Sequence, residues 1–236
     1  MSNKSKAALL MERFGPATNL LLDHGITLIE WGSQVLQQHG YPEVICVFDF
    51  VVKDSQIEEA AKLLETQSTW RRVDPSLGDE CKGTIGISGY YFANDTDPKR
   101  VPTPIHLLPE SLVHLSSTGN DAYAVPSPFD PSHTLLRPKL PQLCVSLIKC
   151  LEDYLTNSSH QILPRRYLLA LIVSAIYKDP DPGGKIWVPQ EEGEEEESFH
   201  RRRAEAVKVI EGWEFDGPDE VYRTKLIKFL FTYTVD

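Results

Sequence analysis

The clearest pattern of apolar and polar positions lies between residues 25 and 52, GITLIEWGSQVLQQHGYPEVICVFDFVV. Residues 26–31 are a β-prone run with little charge, and Gly32 permits a sharp turn where a side chain would obstruct it. Ser33 is placed to cap a short helix over 34–39, which Gly40 stops. Tyr41-Pro42 then leads into an apolar strand over 44–52 whose one carboxylate is Asp49. Upstream, residues 5–14 read as a short helix with Ala7, Leu10 and Met11 on one side, and Pro16 sits in the first turn of a second helix ending at Gly25. Downstream, Ser55 and Glu58 have the spacing of a capping box, and Ile57, Ala60, Ala61 and Leu64 recur at the spacing of a helix with one buried face. Strands separated by such helices predict an α/β layer.

The middle of the chain alternates more loosely. Residues 84–92 read as a strand ending in Tyr90, Tyr91 and Phe92, residues 94–104 as a proline-rich surface loop, and residues 105–108 as a short strand closed by Pro109. Residues 119–141 carry Pro126, Pro128, Pro131, Pro138 and Pro141 among Ser and Asp, the composition of a connector. Beyond it the period becomes helical. Cys144, Leu147, Ile148, Leu151 and Leu155 mark one face, and Leu168, Leu171, Ile172, Ala175 and Ile176 mark another on a helix opened by Pro164. Ala206, Val209, Ile210 and Trp213 mark a third, and Asp219 caps a last helix carrying Tyr222, Leu226, Phe229, Leu230 and Tyr233. The expected organisation is α+β: an α/β unit with a mixed sheet over 1–125, a Pro-rich connector over 126–141, and a helical bundle over 142–236 with an acidic loop at 190–198.

Composition narrows the chemistry. The 236 residues are 41% hydrophobic and 25% charged, with no apolar run long enough to span a bilayer and no secretory signal pattern, so a soluble, cytoplasmic protein is expected. The net charge of −10 disfavours a broad nucleic-acid surface. Six of those charges, however, belong to one solvated run at Glu191, Glu192 and residues 194–197. Cys46, Cys81, Cys144 and Cys150 form no C-x-x-C pair and read as free buried thiols. The histidines lack metal-ligand spacing, and no G-x-S-x-G, H-E-x-x-H, Walker or G-x-G-x-x-G motif is present.

Trp31-Gly32-Ser33, followed after thirteen residues by Val47-Phe48-Asp49, resembles the signature of the nucleotidyltransferase superfamily, a hydrophobic residue, Gly, Gly or Ser, and then Asp-x-Asp/Glu on the next strand. The chain is also similar to fungal proteins of this general pattern. The resemblance implies that Gly32 and Ser33 cradle a phosphate, that Asp49 is a metal-binding acid, and that a third acid comes from a later strand, at the position of His106. Valine stands at the first acid position and histidine at the third. The family's chemistry needs carboxylates to hold two Mg²⁺ ions on a triphosphate, and valine offers a hard cation nothing.

Three readings follow. In the first, a nucleotidyltransferase-fold protein has lost metal-dependent transfer and acts as a binding or accessory protein for a small ligand or a protein partner, with no cofactor. In the second, an active transferase modifies a small molecule or protein through a rearranged site of Asp49, His106 and Glu30, using a nucleoside triphosphate and Mg²⁺. In the third, the chain is a helical interaction module with a small sheet and an aromatic last helix. Adjacency of the strands at 26–31 and 44–52 separates the first two from the third. It is the expected arrangement, because a short helical connection usually returns the chain to the neighbouring position.

Overall fold

The computed structural model describes residues 6–94, 104–155, 158–178, 194–215 and 217–232, residues 6–11 by their backbone alone. The chain is α+β, as expected: a seven-stranded mixed sheet with helices on both faces and a C-terminal helical layer. The strands are β1 (Ile29–Trp31), β2 (Phe48–Val52), β3 (Trp70–Val73), β4 (Tyr90–Asn94), β5 (Ile105–Pro109), β6 (Ala122–Pro126) and β7 (Thr134–Pro138), in the order β3-β4-β5-β2-β1-β7-β6. β1 and β2 are antiparallel neighbours, β2 runs parallel to β5, and β1 runs parallel to β7.

The helices are α1 (Lys6–Asp23), α2 (Ser33–Gln38), α3 (Ile57–Glu65), the single turns α4 (Leu77–Glu80), α5 (Thr84–Ile87) and α6 (Glu110–Val113), then α7 (Leu140–Glu152), α8 (Ile162–Leu171), α9 (Glu196–Glu211) and α10 (Glu220–Thr232). α8 continues through a π-helical turn at Ile172–Ile176. Strand alternation sorts the core into two layers. Phe48, Phe50, Val52, Ile105 and Leu107 pack with Phe14, Leu21 and Leu64 of α1 and α3. On the other face, Trp31, Val51 and Leu108 join Cys144, Leu147, Leu168, Ile210 and Phe229 of the C-terminal helices. Asp49 and His106 share that second face.

Several local expectations change. Residues 122–138 do not form a bare connector: Pro126 and Pro138 end the strands of a hairpin, β6–β7, whose inner strand pairs with β1. Proline is tolerated there because β6 is an edge strand and Pro138 is the last residue of β7. One helix, Lys6–Asp23, replaces the two expected, with Pro16 inside it and Phe14, Ala17 and Leu21 fully buried. The N-cap of α3 is Gln56, not Ser55, and its amide reaches Thr27 N–H and Gly25 carbonyl instead of capping. Residues 84–87 are helical, and the strand begins only at Tyr90. β2 starts at Phe48, which leaves Cys46 in irregular chain and exposed. Cys81 is exposed too, so only Cys144 and Cys150, on the inward face of α7, are buried thiols. α7 ends before Leu155, which is exposed, and on α10 Phe229 is buried while Phe231 faces solvent. Glu194 pairs with Arg202, and Glu196 and Glu197 lie in the first turn of α9, where acidic groups suit the helix dipole. Glu191, Glu192, Tyr233 and most of the 94–104 loop lie outside the described residues. No helix among the described residues is long and apolar enough to cross a membrane.

Candidate functional site

The site is built where β1 ends. Gly32 has φ of +72°, and a Cβ there would come within 2.4 Å of Asp49 Oδ2, so both the turn and the neighbouring carboxylate require glycine. Gly32 is also the N-cap of α2. Ser33 is therefore the first helical residue rather than the cap, and its hydroxyl lies 3.5 Å from the Tyr167 hydroxyl of α8.

The Phe48 N–H donates to the Pro104 carbonyl on the β5 side, so alternation turns the N–H and C=O of Asp49 toward β1. Gln34 takes both: its Nε2 donates to the Asp49 carbonyl at 2.5 Å, and its Oε1 accepts from the Asp49 N–H at 3.2 Å. A side-chain amide thus adds to the β1–β2 ladder at its last pair, Trp31 with Asp49.

The register of β2 against β5 sets Asp49 beside His106, and the register of β4 against β5 sets Tyr91 beside the same histidine. Asp49 Oδ1 and His106 Nδ1 are 2.9 Å apart, both side chains nearly withdrawn from solvent. His106 Nε2 donates to the Ser88 carbonyl at 2.7 Å, so one further proton lies between Nδ1 and the carboxylate. Tyr91 stacks on the imidazole at 3.9 Å, its hydroxyl donating to the Gly86 carbonyl. Burial, then the charges of Asp79 and Asp49, push the Tyr91 phenol well above its ordinary value. Burial and then Asp49 do the same to Tyr167. Both phenols are therefore neutral and serve as walls and hydrogen-bonding groups.

Asp49 and His106 border a void of only about 10 Å³, closed by Lys82, Ile85, Gly86, Tyr91, Leu163 and Tyr167. That is at most the size of one water. On the same face, over β3 and β4 where the C-terminal helices do not reach, lies an open cleft of about 520 Å³. Val47, Tyr91, Ala93 and Pro104 supply apolar wall, and Arg71 and Lys82 oppose Asp74 and Asp79. Lys82 Nζ bonds Asp79 Oδ1 at 2.6 Å. Burial raises the Asp79 pKa, but the Lys82 and Ser76 hydrogen bonds outweigh it and hold the carboxyl below the usual range. Gly32, Ser33, Asp49 and His106 are not among the residues lining this cleft.

Of the residues singled out in the sequence, Gly32, Asp49 and His106 come together, with Ser33 set against α8. Glu30 does not join them: it pairs across the sheet with Phe50, on the opposite face, and binds Arg137 at 2.8 Å and Gln38 at 3.1 Å. The residues do not fit a two-Mg²⁺ centre. Val47 has no donor, one oxygen of Asp49 is taken by His106, and among the described residues no three His, Cys, Asp or Glu side chains could hold a metal ion. Gln34, Ser88, Tyr91 and Tyr167 complete the site without having been read from the sequence. Only Gln34, in the first turn after the Gly-Ser corner, stood near enough in the chain to be suspected.

No family model matches the chain, and no curated protein matches it. Among solved structures it is similar to the solution structure of the antibiotic-resistance factor ANT(2'')-Ia, at 7% identity and a TM-score of 0.41, covering 69% of this chain and 83% of that one.

Proposed function

We propose that this protein keeps a nucleotidyltransferase-like arrangement without its metal-dependent chemistry and acts as a binding or accessory protein, with the open cleft receiving a small ligand. The carrying observation is the state of Asp49. The one acid left in the motif is committed to His106 in a nearly buried niche, and the position two residues before it is the apolar Val47. A carboxylate so engaged is a structural ion-pair or hydrogen-bond partner before it is a metal ligand. The charges of the cleft are balanced, two cations against two carboxylates, which suits a ligand of little net charge better than a triphosphate.

The purified protein is expected to release no pyrophosphate from nucleoside triphosphates with Mg²⁺ or Mn²⁺. In calorimetric titration, any heat of ATP binding should be the same with and without Mg²⁺. Metal-dependent pyrophosphate release that disappears in Asp49→Ala would overturn the proposal. It would favour an active transferase with a rearranged acid site, a reading that draws its own support from the direct contact of Asp49 with His106.

A further inference from the structure

Among the described residues, the Asp49–His106 pair is covered by Ile85 and Gly86 of the short segment 83–89, by Lys82 just before it, and by Leu163 and Tyr167 of α8. We infer that this segment is a lid over the pair, and that its opening joins the small void to the neighbouring cleft past their shared wall of Lys82 and Tyr91. Four observations carry the inference.

The two spaces share walls: Lys82 and Tyr91 border both. The α5 turn places Ile85 and Gly86 over the void, and none of residues 83–89 borders the cleft. The segment is bounded by Gly83 and Gly89, at φ of +71° and +74°, conformations that need glycine. Closed, both pack tightly: a Cβ would meet His160 Cα at 2.6 Å at the first and the Leu107 carbonyl oxygen at 2.0 Å at the second. Its internal structure is slight, the hydrogen bonds of one helical turn, from Gly86, Ile87 and Ser88 N–H to Gly83 and Thr84 carbonyls.

The lid is fastened by discrete polar contacts from three other elements rather than by its own helix. His106 Nε2 donates to Ser88 carbonyl and Tyr91 hydroxyl to Gly86 carbonyl. At the other end, His160 Nδ1 accepts from Thr84 N–H at 3.0 Å, capping α5 from a distant part of the chain. Finally, the lid combines an inward apolar residue, Ile85, fully buried, with an outward one, Ile87, which is 51% exposed. One buried side chain and four polar fastenings, the fourth from Thr84 Oγ1 to His160 Nδ1 at 2.8 Å, are the construction of a unit that opens below the free energy of global unfolding. Opened, it leaves the Asp49 carboxylate and His106 Nε2 facing the cleft ligand. The inference rests on the reading of the cleft as a ligand site, yet its test does not require any ligand.

Native-state hydrogen exchange on the full chain provides that test. The amides of Gly86, Ile87 and Ser88 should exchange through an opening insensitive to low denaturant, at least about 100-fold faster than those of Phe50 and Val52 in the central strand. If they exchange together with the strand, with the same denaturant slope, there is no lid. A second arm uses His160→Ala, which removes a fastening without touching Asp49, His106 or Tyr91. Carbethoxylation of His106 by diethyl pyrocarbonate, followed by mass spectrometry, should accelerate about tenfold in this variant. His160→Asn, which retains an acceptor, should return it toward the starting rate. Accelerated exchange of the lid amides with no gain in His106 modification would mean that the segment moves without uncovering the pair, and would overturn the proposal. Should His160→Ala fail to fold, the exchange measurement on the unaltered protein still decides. Failure here leaves the pyrophosphate and calorimetric outcomes untouched, so the two proposals fall separately.

Discussion

Gln34 bonds both backbone polar groups of Asp49, beside the last ladder pair of β1 and β2, Trp31 with Asp49. Truncating it removes two buried hydrogen bonds at the end of the β1–β2 ladder. Each is worth about 0.5–1.5 kcal/mol, so Gln34→Ala should lose about 1–3 kcal/mol in urea unfolding. Gln34→Glu keeps an acceptor but no donor, and it brings a second carboxylate toward Asp49. It should therefore be no better than the alanine variant, although it is closer in shape. A loss below about 0.5 kcal/mol, the range of ordinary surface changes, would show that water replaces the clamp.

Gly32 tests the close approach to Asp49. In Gly32→Ala the new Cβ meets Asp49 Oδ2 and also sits at φ of +72°. At φ +72° and ψ −144°, a region essentially reserved for glycine, the backbone strain alone is worth about 1–3 kcal/mol. The steric part depends on Asp49, whereas the strain does not. A double-mutant cycle with Asp49→Ala should consequently give a Gly32→Ala penalty that is smaller in the alanine background by about 1 kcal/mol or more. Strict additivity would place the two residues out of contact.

The sequence made the strand, Gly-Ser corner and second strand legible because each depends on neighbours in the chain: apolar runs, a glycine at the turn, and a lone acid in an apolar strand. His106 was legible as a position for the same reason, since a short strand closed by Pro109 has little freedom of register. What closes the site was not legible. Tyr91, Ser88 and Tyr167 reach Asp49 and His106 through sheet order and helix packing, and no local spacing announces that. The hairpin β6–β7 was misread because edge strands tolerate the Pro, Ser and Asp content that otherwise marks a connector. Residues 84–87 were misread because rough alternation over a few positions does not separate a strand from one helical turn.

Two histidines should give the stability curve opposing slopes. Burial, and then the charge of Arg137, lowers the His39 pKa below its ordinary 6.5. The folded state then binds fewer protons than the unfolded chain, so this contribution is present above the unfolded value and is lost as pH falls through the folded one. His133 is raised, chiefly by its hydrogen bond to Asp23 and against some desolvation. Its contribution is present below 6.5 and is lost as pH rises through the folded value. Urea midpoints measured from pH 5 to 8 should show His39→Gln flattening the acid side and His133→Gln flattening the neutral-to-basic side. A variant that steepens its own side would reverse the assigned sign.

The last prediction asks whether the nucleotidyltransferase geometry still underlies the site. Val47 stands two residues before Asp49, in the bend ahead of β2, and His106 lies directly across from Asp49 on β5. His106→Asp would oppose two carboxylates and also lose the hydrogen bond to Ser88 and the Tyr91 stack. Without a divalent ion it should be destabilised by about 3–5 kcal/mol, the range for an uncompensated buried charge. If the backbone retains a metal-binding frame, Mg²⁺ should restore part of that loss. A free concentration one hundred times the dissociation constant returns about 2.7 kcal/mol by mass action. The unaltered protein should show no Mg²⁺-dependent shift in its thermal midpoint, and His106→Asn, which adds no charge, should show none either. Val47→Asp combined with His106→Asp supplies three carboxylates and should respond at lower Mg²⁺ than His106→Asp alone. If neither acidic variant shifts with Mg²⁺ while both remain folded, the strands do not hold their side chains at metal-binding separation, and the likeness of the Gly-Ser corner to that superfamily is one of sequence only.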